Sequence, residues 1–197
     1  MKRICVFCGS SPGGNPGYLK SAQKLARVLV KRKIGLVYGG SRVGIMGEIA
    51  KAVLEKRGEV IGVIPKNLLA KEVAFTDIPE LRVVETMHER KALMMELSDG
   101  FIAMPGGLGT IEEFFEVLTW AQLGIHTKPC GLLNVCHYYE KLLDFLDHVV
   151  SEKFIEAAHR SMLLTDDDPD RLLKKFKHYR PPVVDKAEWA LRMTESF

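Results

Sequence analysis

The chain is poor in cysteine. Of its 197 residues four are Cys, at positions 5, 8, 130 and 136. Cys5 and Cys8 form a formal C-x-x-C, but they lie in an apolar run that reads as a strand. An offset of three along a strand sends side chains to opposite faces, so this pair cannot converge on a metal or a redox couple. No second pair at ligand spacing follows. No metal site is expected, and the thiols read as buried packing groups. An excess of one charge sign is missing as well. There are 28 Lys and Arg against 25 Asp and Glu, a net charge of +3, with no basic stripe of the kind that tracks nucleic acid. No apolar run is long enough to span a bilayer. The first eight residues are too short for a signal peptide and run straight into Gly9. The expectation is a cytoplasmic protein with neither nucleic acid nor membrane as partner. Two nucleotide signatures are also lacking. The Walker pattern G-x-x-x-x-G-K-[ST] does not occur, and G-x-G-x-x-G is absent from the first glycine-rich turn. Both absences weaken a nucleoside triphosphatase or dehydrogenase reading.

What is present is a rhythm. Apolar residues make up 47% of the chain, enough for a sizeable core. Short apolar runs at 4–8, 35–38, 60–64, 81–84, 101–104 and 131–135 lack polar alternation, as strands buried on both faces do. Helical spacing fills the gaps at 18–30, 45–57, 87–98, 110–123 and 137–153, with Gly58 and Gly124 as C-terminal stops. This predicts an α/β fold: a doubly wound, Rossmann-like, mostly parallel sheet with helices on both faces. A single nucleotide-binding domain over 1–197 is expected, with a helical extension from about residue 165. There, Asp166-Asp167-Asp168-Pro169-Asp170 reads as a helix start rather than a metal cluster. Residues 65–79 break the rhythm. A connection that long is often functional, and it is compatible with a short helix.

Three glycine-rich turns follow predicted strands: Gly9 to Gly14, Gly39 to Gly44, and Pro105-Gly106-Gly107-Leu108-Gly109-Thr110. The rhythm alone puts all three at the carboxyl edge of the sheet, where open α/β sheets bind ligands. Glycine lets backbone N–H groups approach an anion, and the helix start after the third turn adds its positive end. Ser10, Gly39, Gly40, Gly106, Gly107, Gly109 and Thr110 are therefore candidates for a phosphate site. Thr110 and Glu113 could instead form a capping box, as could Thr86 and Glu89. Arg90 and Lys91 sit in an early helix turn where cations are disfavoured unless an anion is near. His88 and His126 read as loop or structural histidines.

At these residues the chain resembles the LONELY GUY (LOG) family of cytokinin riboside 5′-monophosphate phosphoribohydrolases. The segment from Pro105 to Glu113 matches P-G-G-x-G-T-x-x-E. Further matching stretches begin at Cys8, Tyr38, Gly44, Gly62, Met87, Thr119 and Lys128. The resemblance implies removal of ribose 5-phosphate from N6-modified adenosine monophosphates, with AMP as a further substrate of many bacterial members. It implies Arg90 and Glu113 as the catalytic pair. Lys91, Gly107, Gly109 and Thr110 would hold the nucleotide, and Glu72 and Thr119 would line the site. It also implies a homo-oligomer, at least a dimer, and no cofactor. Position 108 is Leu where some members carry an aromatic residue, which bears on substrate preference. Two other readings of the motif are a non-catalytic nucleotide carrier of the same fold and a lysine decarboxylase. The latter would need Lys91 or Lys128 as a Schiff-base lysine.

Overall fold

The computed structural model describes residues 1–69, 74–182 and 191. Seven strands form one parallel sheet: β1 (Arg3–Phe7), β2 (Gly35–Tyr38), β3 (Val60–Pro65), β4 (Glu80–Val84), β5 (Phe101–Ala103), β6 (Cys130–Leu133) and β7 (Leu163–Asp166). Their spatial order is β4-β3-β2-β1-β5-β6-β7. The chain builds outward from β1 to β4, then crosses back to lay β5 against the other side of β1. The order therefore reverses at β1 and β5, and the crevice above their carboxyl ends is the ligand position of such sheets.

Helices cover both faces, as expected. α1 (Gly17–Lys31), α2 (Gly44–Leu54) and α8 (Pro169–His178) pack on one side. In α1 the buried residues Ala22, Leu25, Ala26 and Leu29 recur at helical spacing and form its core stripe. α4 (Met87–Glu96), α5 (Leu108–Gln122) and α6 (Glu140–Ser151) cover the other side. The short helices α3 (Lys66–Leu69) and α7 (Ala157–Arg160) fill connections. Cys5 packs in one apolar cluster and Cys8 in the other, so the C-x-x-C does straddle the sheet. Burial pushes both thiols up, and the neighbouring Glu113 adds to the effect. They are protonated packing groups. None of the described helices is long and apolar enough to cross a membrane.

Three local expectations need correction. The α2 terminus is set by Arg57, not Gly58. Arg57 takes the left-handed φ of 58, while the Gly58 N–H turns back to Val53 O at 2.9 Å. A chain reversal locked by two backbone bonds tolerates a residue with a Cβ there. Gly124 does end α5 in the left-handed region. Strand β7 adds a seventh strand beyond the six apolar runs, because its own run, Met162 to Leu164, is only three residues long and ends at Thr165 and Asp166. Finally, α5 begins at Leu108, so Thr110 lies inside the helix and does not cap it.

Candidate active site

Three helices start around the crevice, and their first turns are treated differently. The α2 start has no side-chain cap, but the Gly9 carbonyl accepts from Ile45 N–H at 3.0 Å and from Met46 N–H at 3.3 Å. The α4 start is a capping arrangement. Thr86 Oγ1 accepts from Glu89 N–H at 3.1 Å, and Glu89 Oε2 accepts from Glu85 N–H at 2.9 Å. The α5 start has neither. Its N-cap is Gly107, no side chain caps it, and its first turn carries no acid. The donors of that turn and the positive end of the helix are left to a ligand.

The open start faces a cleft of about 320 Å³. Ser10, Gly39, Arg90, Gly107, Gly109, Thr110 and Glu113 all line it. Thr110 and Glu113 are three apart on α5, on one helix face, and both are buried. With Thr110 inside the helix, Glu113 has no cap to make. It forms an ion pair with Arg90 Nη1 instead. Arg90 comes from α4 and also donates from Nε to Val63 O at 3.1 Å, so β3 and α5 hold its guanidinium between them. Both side chains are about nine-tenths buried, with 8% and 11% exposure. A pair this deep is expensive to desolvate and survives only with good geometry.

Gly39 turns out to serve Arg90. A Cβ at position 39 would overlap Arg90 Nη2 and stand 3.0 Å from Met46 Sδ. The missing side chain at the end of β2 is therefore the space the guanidinium occupies. Gly106 is similarly constrained, since a Cβ there would overlap Thr110 Oγ1 and come within 2.8 Å of Gly9 N. Around Gly107 and Gly109 the space where a Cβ would stand is open.

Some expected site residues lie elsewhere. Gly40 turns the chain with φ 77, and its carbonyl accepts from Phe75 N–H at 2.9 Å; it does not line the cleft. Gly106 borders a neighbouring cavity. Lys91 lies in the α4–α5 contact and not in the cleft wall, its side chain 12% exposed and bonded to Glu112 at 2.7 Å and Glu116 at 2.9 Å. The anions that offset Arg90 and Lys91 are thus the carboxylates of α5. Thr119 lines a separate cavity between α5, α6 and α7. Glu72 lies outside the described residues. His126 is structural: Nε2 pairs with Val117 O at 2.8 Å and Nδ1 accepts from Lys128 N–H at 3.1 Å. Sequence reasoning missed Met46, Leu68 and Met87 in the cleft wall. Leu68 sits on α3, within the connection that breaks the strand–helix rhythm.

A Rossmann-like sheet with an uncapped helix start beside a buried carboxylate–guanidinium pair defines a class of α/β protein suited to binding an anionic ligand and to electrostatic chemistry on it. Residues 46–176 match a family model described as "Possible lysine decarboxylase". Neither lysine proposed for that chemistry lines the cleft. Lys128 Nζ donates to Met95 O at 2.7 Å, and Lys91 is bound by its two glutamates. In Oryza sativa subsp. japonica, "Probable cytokinin riboside 5′-monophosphate phosphoribohydrolase LOGL9" is 51% identical over 92% of this chain and 80% of its own length. In Arabidopsis thaliana, "Cytokinin riboside 5′-monophosphate phosphoribohydrolase LOG1" is 49% identical over 97% and 91%. The chain belongs to this LOG family of phosphoribohydrolases. Among solved structures, a molybdenum cofactor binding protein from Rippkaea orientalis superposes with a TM-score of 0.68 at 22% identity, over 90% of this chain and 97% of its own. The molybdenum cofactor carrier protein of Chlamydomonas reinhardtii gives 0.66 at 20%, over 90% and 99%. These two share the fold.

Proposed function

We propose that this chain hydrolyses the N-glycosidic bond of cytokinin riboside 5′-monophosphates in the cleft above β1 and β5, releasing the free base and ribose 5-phosphate. The observation that carries the reading is the open start of α5 one helical turn from Glu113. A 5′-phosphate bound by the first-turn N–H groups and Thr110 leaves the ribose over the Glu113 carboxylate. Cleavage passes through an oxocarbenium-like transition state with positive charge on the sugar. Glu113 stabilises that charge and orients or deprotonates the attacking water. Arg90 carries a guanidinium, a fork of donors suited to orienting a carboxylate rather than to general-acid chemistry. Its role is to aim the Glu113 carboxylate and to bear on the ligand electrostatically. Leu68, Met87 and Leu108 line the cleft; Leu68 is half-buried, and Met87 and Leu108 keep 36% and 86% exposure. Such an apolar rim suits an N6 substituent, with plain AMP as the smaller substrate.

Incubation with AMP and with N6-isopentenyl-AMP, followed by chromatography, tests this. Release of base and ribose 5-phosphate is expected, and no release from either nucleotide would falsify the reading. We also read the chain as a homodimer. Leu123 and Ile125 just past α5, Phe145 midway along α6 and Phe154 just past it are all more than half exposed, as apolar surface awaiting a second copy would be. Light scattering on the purified protein decides this, and a monomeric mass would remove it.

A further inference from the structure

Three successive carbonyls of the turn after β5 are tied down from outside its motif. Met104 O accepts from Tyr139 Oη at 2.7 Å, Pro105 O from Gly9 N–H at 3.1 Å, and Gly106 O from Tyr138 Oη at 2.6 Å. The two tyrosines are neighbours in the connection from β6 to α6. There Cys136 and His137 take left-handed φ values of 51 and 57, an uncommon backbone for residues with a Cβ. The connection is secured at its base, where Asn134 Oδ1 accepts from Tyr139 N–H at 2.8 Å. Tyr138 then leans over the turn and meets Tyr18 edge-on, with ring centroids 5.7 Å apart.

The two hydroxyls do different things. Tyr139 is 2% exposed, and its hydroxyl serves a carbonyl at the sheet edge that is closed to solvent. Tyr138 is 40% exposed, so water could replace it on Gly106 O. What Tyr138 supplies is direction. The peptide from Gly106 to Gly107 is trans, so its carbonyl and its N–H point to opposite sides. With the carbonyl held by Tyr138, the Gly107 N–H faces away from it. Gly106 and Tyr138 border one cavity, and Gly107 borders both that cavity and the cleft that holds Glu113. A peptide between two glycines turns easily unless something pins it.

We propose that Tyr138 is a positioning residue, whose hydroxyl locks the Gly106–Gly107 peptide so that the Gly107 N–H meets the phosphate of the bound nucleotide. The inference rests on the nucleotide reading of the cleft. Tyr138→Phe keeps the ring against Tyr18 and removes only the hydroxyl. The measurements are KM and kcat for nucleoside monophosphate cleavage, the affinities for ribose 5-phosphate and for adenosine by calorimetry, and the melting temperature. The KM and the ribose 5-phosphate Kd should rise together by about two- to tenfold, the worth of one hydrogen bond. Adenosine affinity, kcat and melting temperature should hold. Tyr139→Phe should do the reverse, lowering the melting temperature and leaving the ratio of the two affinities unchanged. An unchanged ribose 5-phosphate affinity in Tyr138→Phe, or an equal loss for adenosine, overturns the proposal. A wild type that binds ribose 5-phosphate yet cleaves no nucleotide overturns the hydrolase reading alone, because the binding data still decide this one. A wild type that binds no ribose 5-phosphate overturns both.

Discussion

Two arginine–carboxylate clusters stand at the carboxyl edge of this sheet, one over β1 and β5 and the other beyond β7. They use the same chemistry in different surroundings. Arg90 and Glu113 are both nearly buried, and Arg90 bonds groups from both β3 and α5. Beyond β7, Asp166 is 8% exposed, but its partners Arg171 and Lys175 are 59% and 47% exposed. The Asp168 N–H adds a third bond to Asp166 at 3.0 Å. The outer cluster lets long side chains reach in from solvent and secures the start of α8, where Asp168 caps and Pro169 opens the helix. The inner cluster meets solvent only through the cleft, and both of its charges are about nine-tenths buried. A charge pair placed there contributes little to stability against an apolar pair of the same volume, which fits the proposal that it acts on a ligand.

The strongest way to break this contrast is Glu113→Gln. Removing a group that acts on the reacting sugar should lower kcat by roughly a hundred- to ten-thousandfold. It also leaves Arg90 charged and buried, at a cost of about 3 kcal/mol or more. Replacing both partners, as Arg90→Met with Glu113→Leu, separates the two effects. Denaturant melts should show most of the stability restored, while steady-state assays show no activity. Full activity in Glu113→Gln would make the inner pair as structural as the outer one.

Gly39→Ala attacks the same pair indirectly. The new Cβ overlaps Arg90 Nη2, and the side chain must swing away from Glu113. Misplacing a positioned group by about 1 Å can cost on the order of a hundredfold in kcat/KM. The melting temperature should fall less than in Glu113→Gln, because both charges remain. Unchanged kinetics would mean that Arg90 does not need its present position.

The outer cluster is tested by acid. Burial pushes the Asp166 carboxyl up, but the Asp168 N–H, Lys175 and Arg171 together outweigh this and hold it at about 2, below the ordinary 3.8. A carboxyl with a lowered folded pKa stabilises the fold above its unfolded pKa and loses that contribution as pH falls through the folded one. The group therefore supplies about 2 kcal/mol at neutral pH, and this is lost between about pH 4 and pH 2. Asp166→Asn should be less stable than wild type by that amount at pH 7, with the two denaturation curves converging towards pH 2. Activity at pH 7 should be retained. A gap that persists at pH 2 would mean the loss is packing and not charge.

Much of this was legible in the sequence. The parallel sheet followed from apolar runs without alternation, and the crevice followed from the strand–helix rhythm. The glycine turns and the pairing candidates Arg90 and Glu113 were visible as motifs. The helix start was not. Thr-x-x-Glu reads as a cap until the backbone shows Gly107 taking that position. The clearance at Gly39 was hidden too, because it depends on a side chain 51 positions further on, a residue that reaches across β3. Tyr138 carried one available signal: it follows a strand at the same sheet edge as the glycine turns. Strand β7 gave too little, since its apolar run, Met162 to Leu164, is only three residues long before Thr165 and Asp166, shorter than the four or more on which a strand is recognised.

Lys91 is the smallest test and bears on the border between the clusters. It follows Arg90 on α4, yet it faces Glu112 and Glu116 rather than the cleft. Those carboxylates hold its ammonium above the ordinary lysine range, the Glu112 hydrogen bond contributing most and partial burial opposing it. Lys91→Met removes the charge and keeps the aliphatic stem that lies along the helix contact. If Lys91 is purely structural, as the outer cluster is, the stability loss should be about 1–3 kcal/mol, because its side chain is only 12% exposed between two carboxylates. KM should then change by a few-fold at most, through the small shift in Glu112 at the cleft wall. If instead the ammonium leaves its glutamates to meet a phosphate when nucleotide binds, KM should rise far more than stability falls. That rise should fade as ionic strength increases, because added salt screens the missing contact in wild type as well. The ratio of the KM change to the stability change thus assigns Lys91 to one cluster or the other, without a ligand-bound structure.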